Sequence, residues 1–238
     1  MKILSIGNSF SQDATRYLHQ IAASCGIEIQ TENLYIGGCP LKLHYQNIID
    51  NVPDYELWVN GENTDKKVSI LAQLQKENWD YITLQQASRF SVDYSTYQPY
   101  LNELVRFIKS HCPAAKLVIH QTWAYEDDSQ MLFDVGYKTG AEMFADVKAA
   151  YEKAAADVQP FSMIPSGELF GKLLDSGIEK IHRDTFHASL GLGRYALALL
   201  WYRFFTGNRV DDVTFCDFDE PIPGAEIAIA KRCVNEII

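Results

Sequence analysis

The amino-acid sequence predicts an α/β fold in which a parallel sheet is covered by helices on both faces, and three observations lead there. Apolar runs of strand length alternate with stretches of helical period along the chain, the pattern of successive strand-helix-strand units. The 238 residues contain no internal repeat, low-complexity tract or linker, so one domain over residues 1–238 is expected, large enough to bury a core without a disulfide or metal staple. The small polar clusters fall just past the apolar runs, on the edge where open parallel sheets bind ligands.

Taken in order, Lys2 to Ile6 is an apolar run that stops in the turn Gly7-Asn8-Ser9 and reads as the first strand; a helix from Asp13 to Cys25 follows. The second strand spans Glu28 to Ile36 and closes on Gly37-Gly38. Pro40 to Thr64, rich in Asn, Asp, Gly and Tyr, reads as a long irregular excursion, and such loops are often functional. A helix from Lys66 to Glu77 leads to a third strand at Asp80 to Gln85, and a helix from Tyr97 to His111 to a fourth at Lys116 to Gln121. Trp123 to Asp134 is a shorter irregular stretch before a helix from Gly136 to Asp157 and a fifth strand at Phe161 to Ile164. The stretch Tyr195 to Phe205 is the most apolar in the chain and lies within a helix from Leu190 to Phe205. It falls short of the roughly 18 apolar residues a bilayer span requires, and Arg203 interrupts it, so a buried helix is expected. A last helix runs from Gly224 to Ile237.

The formal net charge is −10, with acidic residues spread along the sequence. That distribution argues against nucleic-acid or anionic-membrane partners and fits a small neutral or cationic substrate. Five cysteines without a Cys-x-x-Cys pair indicate neither a disulfide framework nor a zinc site. The first apolar run has neither the length nor the small-residue cleavage site of a signal peptide, and a cytoplasmic location is expected. Neither cofactor nor metal is expected. His182, Asp184 and His187 match no metal-ligand spacing. Gly191 to Ala196 fits Gly-x-Gly-x-x-Ala but follows a loop instead of a strand. Gly-x-Ser-x-Gly is absent.

Ser9 follows the first strand, and Arg183-Asp184-Thr185-Phe186-His187 lies beyond the fifth. A serine hydroxyl becomes a useful nucleophile when an imidazole takes its proton, and a carboxylate fixes that imidazole's tautomer. Ser9, His187 and Asp184 supply those three groups; the plainer explanation is a helix cap and an ordinary histidine. At the strand-to-helix turn the Ser9 N–H faces any bound oxyanion. Gly38 offers a second donor, and the side-chain amide of Gln85 or Gln86 a third. Trp123 and Tyr125 are candidates to stack on a sugar ring, with His44, Tyr45 and Glu126 as polar neighbours. Core packing is their competing explanation.

The chain resembles the SGNH (GDSL-type) hydrolase superfamily, and more closely a branch of it marked by Gly-Asn-Ser-Phe-Ser, Gly-Gly-Cys, Leu-Gln-Gln and Arg-Asp-x-x-His segments. These stand here as Gly7 to Ser11, Gly37 to Cys39, Leu84 to Gln86 and Arg183 to His187. The resemblance implies a flavodoxin-like three-layer α/β/α sandwich with a five-stranded parallel sheet. It implies Ser9 as nucleophile, His187 as general base, Asp184 as its orienting carboxylate and Gly38 as oxyanion donor. Two positions depart from the superfamily: Asn8 stands where Asp is usual, and Gln85-Gln86 where an oxyanion-binding Asn is usual. The function expected is serine-dependent ester hydrolysis, removing small acyl groups such as acetyl from a carbohydrate or similar small or oligosaccharide substrate. The alternatives are a non-catalytic flavodoxin-like module, using the Asn8 to Ser11 turn as an anion cradle, and a degenerate relative that binds acetylated glycans.

Overall fold

The computed structural model describes residues 1–238. Its central strand is β1 (Lys2–Gly7), buried from Ile3 onward. The chain turns into α1 (Ser9–Thr15) and α2 (Leu18–Ser24) and returns as β2 (Gln30–Tyr35), parallel to β1. After α3 (Leu41–Asp50), an antiparallel hairpin of β3 (Tyr55–Val59) and β4 (Glu62–Val68) pairs onto β2. Next come α4 (Ile70–Lys76), β5 (Tyr81–Leu84), α5 (Tyr100–His111) and β6 (Lys116–His120). The chain ends with α6 (Gln130–Asp134), α7 (Gly140–Val158), β7 (Ser162–Ile164), α8 (Ser166–Asp175), α9 (Leu192–Thr206) and α10 (Gly224–Ile237).

The strands form one seven-stranded sheet in the order β4-β3-β2-β1-β5-β6-β7. Helices α1, α2, α8, α9 and α10 pack together on one face, and α3, α4, α5 and α7 on the other. The five parallel strands expected from the sequence are present, and the hairpin corrects their number. Its turn, Asn60-Gly61, has φ of 52° and 86°, the paired positive values of the tight hairpin turn that suits the twist of two strands. β4 reads Glu-Asn-Thr-Asp-Lys-Lys-Val and is mostly exposed; its charges protect the sheet edge from further pairing. Pro40 to Thr64 is therefore ordered into α3 and the hairpin, and the helix expected from Lys66 begins only at Ile70, where Ser69 Oγ accepts from Ala72 N at 3.2 Å.

Two other boundaries move. The first helix starts at Ser9 and breaks around Arg16-Tyr17 into α1 and α2. An additional helix, α8, fills the stretch between the fifth parallel strand and the Asp184 loop. Helix α9 is buried at every position from Leu192 through Tyr202, as its apolar sequence predicts. All five cysteines are free thiols, and no helix is long and apolar enough to cross a membrane. β1 lies between β2 and β5, so the strand order reverses there and a crevice opens beyond its carboxyl end. Ser9 sits in that position.

Candidate active site

The geometry around Ser9 begins with a glycine. A Cβ on Gly7 would lie 2.3 Å from Ser11 Oγ, a separation no carbon tolerates, so the chain turns this sharply only without a side chain. Asn8 then caps α1: its Oδ1 accepts from Phe10 N at 3.0 Å, and its own N donates to Ser11 Oγ at 3.1 Å. This reciprocal cap places Ser9 at the first helical position, among the N–H groups that a helix cannot satisfy internally.

The second half of the site comes from the opposite end of the sequence. His187 Nδ1 donates to Asp184 Oδ2 at 2.7 Å, and the backbone N of His187 donates to Asp184 Oδ1 at 2.8 Å. One carboxylate thus holds both the ring and the main chain of the same residue. With Nδ1 carrying the proton, Nε2 is free to accept, and Ser9 Oγ donates to it at 2.8 Å across a separation of 178 residues. Partial burial opposes the charge on Asp184, but the hydrogen bonds from His187 and the charge of Arg183 outweigh it and hold the carboxyl below its ordinary pKa.

The loop carrying Asp184 and His187 is fastened on two sides. Thr185 takes a φ of 71°, a conformation unfavourable for a β-branched residue. It is held there by Glu126 N donating to its carbonyl at 2.8 Å and by its Oγ1 donating to Ser129 Oγ at 2.8 Å. On the other side Asp13, one turn after Ser9 in α1, is fully buried. It accepts from Arg183 Nη1 at 3.0 Å and from Arg194 Nε at 2.8 Å. A buried carboxylate requires such partners, and these two tie the serine helix to the histidine loop. This pairing is not among the expectations above; its signals in the sequence are an acid on the apolar face of α1 and an arginine beside Asp184.

Several expected site residues do other work. Gln85 Nε2 donates to Asn8 Oδ1 at 2.8 Å and its Oε1 accepts from His120 Nδ1 at 2.8 Å, while His120 Nε2 lies 3.1 Å from Ser166 Oγ. Gln86 Oε1 accepts from Leu41 N at 3.0 Å and Ala87 N at 2.9 Å, and its Nε2 donates to Thr96. Both amides are buried and engaged, which corrects the expectation that either is an oxyanion donor. Gly38, with φ of 61°, is held close through its neighbour, since Asn8 Nδ2 donates to Cys39 O at 3.2 Å.

The aromatic expectations are corrected as well. Trp123 is fully buried, stacked between Phe10 at 4.1 Å and Phe170 at 4.6 Å, with Nε1 donating to Phe186 O at 2.8 Å. It supports the site from below and offers no sugar-stacking face. Tyr125 is 2% exposed and shares a hydrogen bond with Ser88 Oγ at 2.8 Å. His44 is fully buried against Tyr55, its Nδ1 2.8 Å from the phenol oxygen, and burial lowers its pKa to about 3. No cluster of three or more His, Cys, Asp or Glu side chains is placed to hold a metal ion.

A family model described as domain of unknown function DUF4886 matches residues 2–233. A DUF4886 family protein from Bacteroides uniformis is 34% identical over 99% of this chain and 93% of its own, with a TM-score of 0.92. A protein provisionally assigned as an SGNH hydrolase, from Slackia heliotrinireducens, is 23% identical over 86% of this chain and 98% of its own, with a TM-score of 0.63. A variant of Axe2, an acetyl xylan esterase from Geobacillus stearothermophilus, is 14% identical over 86% of this chain and 94% of its own, with a TM-score of 0.53. No curated protein matches the sequence significantly.

Proposed function

This chain belongs to the DUF4886 family, and we propose that it is a serine-dependent carboxylic ester hydrolase that removes small acyl groups, acetyl first among them, from a carbohydrate or similar alcohol. The observation that carries the reading is the continuous hydrogen-bond chain from Ser9 Oγ through the His187 ring to the Asp184 carboxylate. Its supports are the site's position at the strand-order reversal and a fold shared with proteins described as hydrolases and acetyl xylan esterases.

In this reaction Ser9 Oγ attacks the ester carbonyl carbon while its proton passes to His187 Nε2, and Asp184 stabilises the imidazolium that forms. The carbonyl oxygen becomes an oxyanion in the crevice, met by the N–H of Ser9 and, on the facing loop, that of Gly38. With both glutamine amides engaged, the hole is built from backbone donors, each worth about 3 to 4 kcal/mol in the transition state. Collapse of the tetrahedral species breaks the bond to the leaving alcohol, which takes the proton back from His187. The acyl-enzyme is then cleaved by water, deprotonated by the same ring, and Ser9 regains its proton as the acid departs.

A fluorophosphonate probe is expected to label Ser9 in the folded protein, as read by mass spectrometry of the peptide. Hydrolysis of 4-nitrophenyl acetate is expected to fall by roughly four to six orders of magnitude in Ser9→Ala and in His187→Ala, with no further loss in the double variant, because the two groups act as a unit. Unlabelled Ser9, or activity that survives Ser9→Ala, overturns the assignment. Release of acetate from acetylated xylo-oligosaccharides and other acetylated sugars then selects the alcohol.

A further inference from the structure

Behind the Asp184 loop, between the segment 124–128, the start of α7 and helix α8, lies a cavity of about 720 Å³. None of Ser9, Gly38, Asp184 and His187 lines it. The volume falls in the range of small-molecule sites. Its apolar wall includes Phe144 and Phe170, and Gly140, Gly167 and Gly171 also line it, the space beside Gly171 being open. Four carboxylates besides Asp127 face it, those of Glu126, Asp128, Asp175 and Glu179, against the single cation Lys180.

The charge imbalance alone specifies nothing; the informative feature is His182, whose side chain is 3% exposed. Its Nε2 lies 3.1 Å from the carbonyl oxygen of Ala124, an atom that can only accept, so Nε2 carries the ring proton. Burial lowers the His182 pKa to about 4, so near neutral pH there is no second proton and Nδ1 is a bare acceptor. That atom has no hydrogen-bond partner. It faces another acceptor, Glu126 Oε1, at 3.3 Å. Lys180 Nζ approaches the other carboxylate oxygen of Glu126, at 3.8 Å, from the exposed side. A buried acceptor beside a partly buried one, with no donor between them, is satisfied by a group that brings its own N–H.

We propose that this cavity is a second binding site, for a small organic ammonium ion with an apolar or aromatic body, whose N–H groups bridge Glu126 Oε1 and His182 Nδ1. The surrounding carboxylates attract the cation, and Phe170 and Phe144 receive its body, the aromatic faces favouring a nearby positive charge. Phe170 and Trp123 stand between this cavity and Phe10, so the ligand is distinct from an ester held at Ser9. The site is independent of the proposed hydrolysis, and Ser9→Ala protein is expected to bind the cation as the unaltered protein does.

The test is titration of the full chain with phenethylammonium, followed by calorimetry and by backbone amide shifts. Saturable binding is expected, with shifts concentrated at Gly140, Gly167 and Gly171. The neutral isostere 2-phenylethanol is expected to bind at least about ten-fold more weakly, a difference of about 1.4 kcal/mol, and Glu126→Gln to weaken phenethylammonium by a similar factor. An ideal Cβ at Gly171 meets no atom within 4 Å, so Gly171→Leu is tolerated by the backbone while its side chain fills the cavity. This variant is expected to melt no lower than the parent and to lose binding. The proposal is overturned by equal affinity for the alcohol, by unchanged affinity in folded Gly171→Leu or Glu126→Gln, by shifts confined to residues elsewhere, or by no saturable binding at millimolar phenethylammonium.

Discussion

Asn8 shows how much positioning one side chain can do. Its Oδ1 accepts from Phe10 N and Gln85 Nε2, and its Nδ2 donates to Cys39 O. The serine turn, the end of β5 and the Gly38 loop therefore meet at one amide. The sequence showed only that Asn replaces the more usual Asp here; the structure shows that the amide N–H has a specific acceptor. Asn8→Asp would set a carboxylate oxygen against the Cys39 carbonyl. We expect it to lower stability by about 1 to 3 kcal/mol, the cost of a buried acceptor left without a donor, as measured by urea unfolding. Asn8→Ala would also remove the helix cap and is expected to lower kcat more than KM. The serine, histidine and aspartate were legible in the sequence because each stands in a short distinctive segment. The roles of Gln85, Gln86, Trp123 and His44 were not, since direction and burial, which nothing local encodes, decide whether a polar or aromatic side chain meets solvent.

At the scale of elements, the link that matters is between α1 and the loop before α9. Asp13 is buried with Arg183 and Arg194 around it, and Arg194 and Arg16 share Asp219 beyond. Asp13→Asn would leave two guanidinium groups without their central charge. A loss of about 3 to 5 kcal/mol is expected from breaking such a pair on one side, with a drop in kcat as the histidine loop loosens. Chemical denaturation and steady-state kinetics on the same protein check both. The edge hairpin makes a second prediction. Gly61 has φ of 86°, and a Cβ there would lie 2.1 Å from Arg16 O, so Gly61→Ala is expected to cost well over the roughly 1 kcal/mol of an ordinary glycine replacement. Most of the five parallel strands were readable because buried strands are largely apolar runs; β2 is the exception, reading Gln-Thr-Glu-Asn-Leu-Tyr with Thr31, Glu32 and Asn33 buried. The hairpin was not, because β4 is a polar edge with no alternation; its one local sign was Asn60-Gly61.

Over the whole molecule, three buried histidines set the response to acid. Burial lowers the pKa of His44 and of His120 to about 3 and that of His182 to about 4, whereas in the unfolded chain each titrates near ~6.5. Between those limits the unfolded chain binds protons that the folded one refuses, so stability is full above about 6.5 and declines as the pH falls toward the folded values. At pH near ~5, unfolding is expected to take up about three protons at these groups, a steep onset well above the carboxylate range. The pH dependence of urea stability gives that number, and an uptake below about one would show that the imidazoles are reached by water. The fold class followed from alternation along the chain, whereas these burials follow from packing across the sheet, which a linear pattern does not contain.

The hydrogen-bonded contact between Ser9 and His187 has a consequence for biosynthesis. The hydroxyl leaves the ribosome early and its imidazole partner 178 residues later, while Asp13 likewise waits for Arg183 and Arg194. A nascent chain stalled anywhere between them can begin to assemble strands yet lacks the imidazole that contacts the hydroxyl, so the proposed hydrolysis would become possible only late in translation.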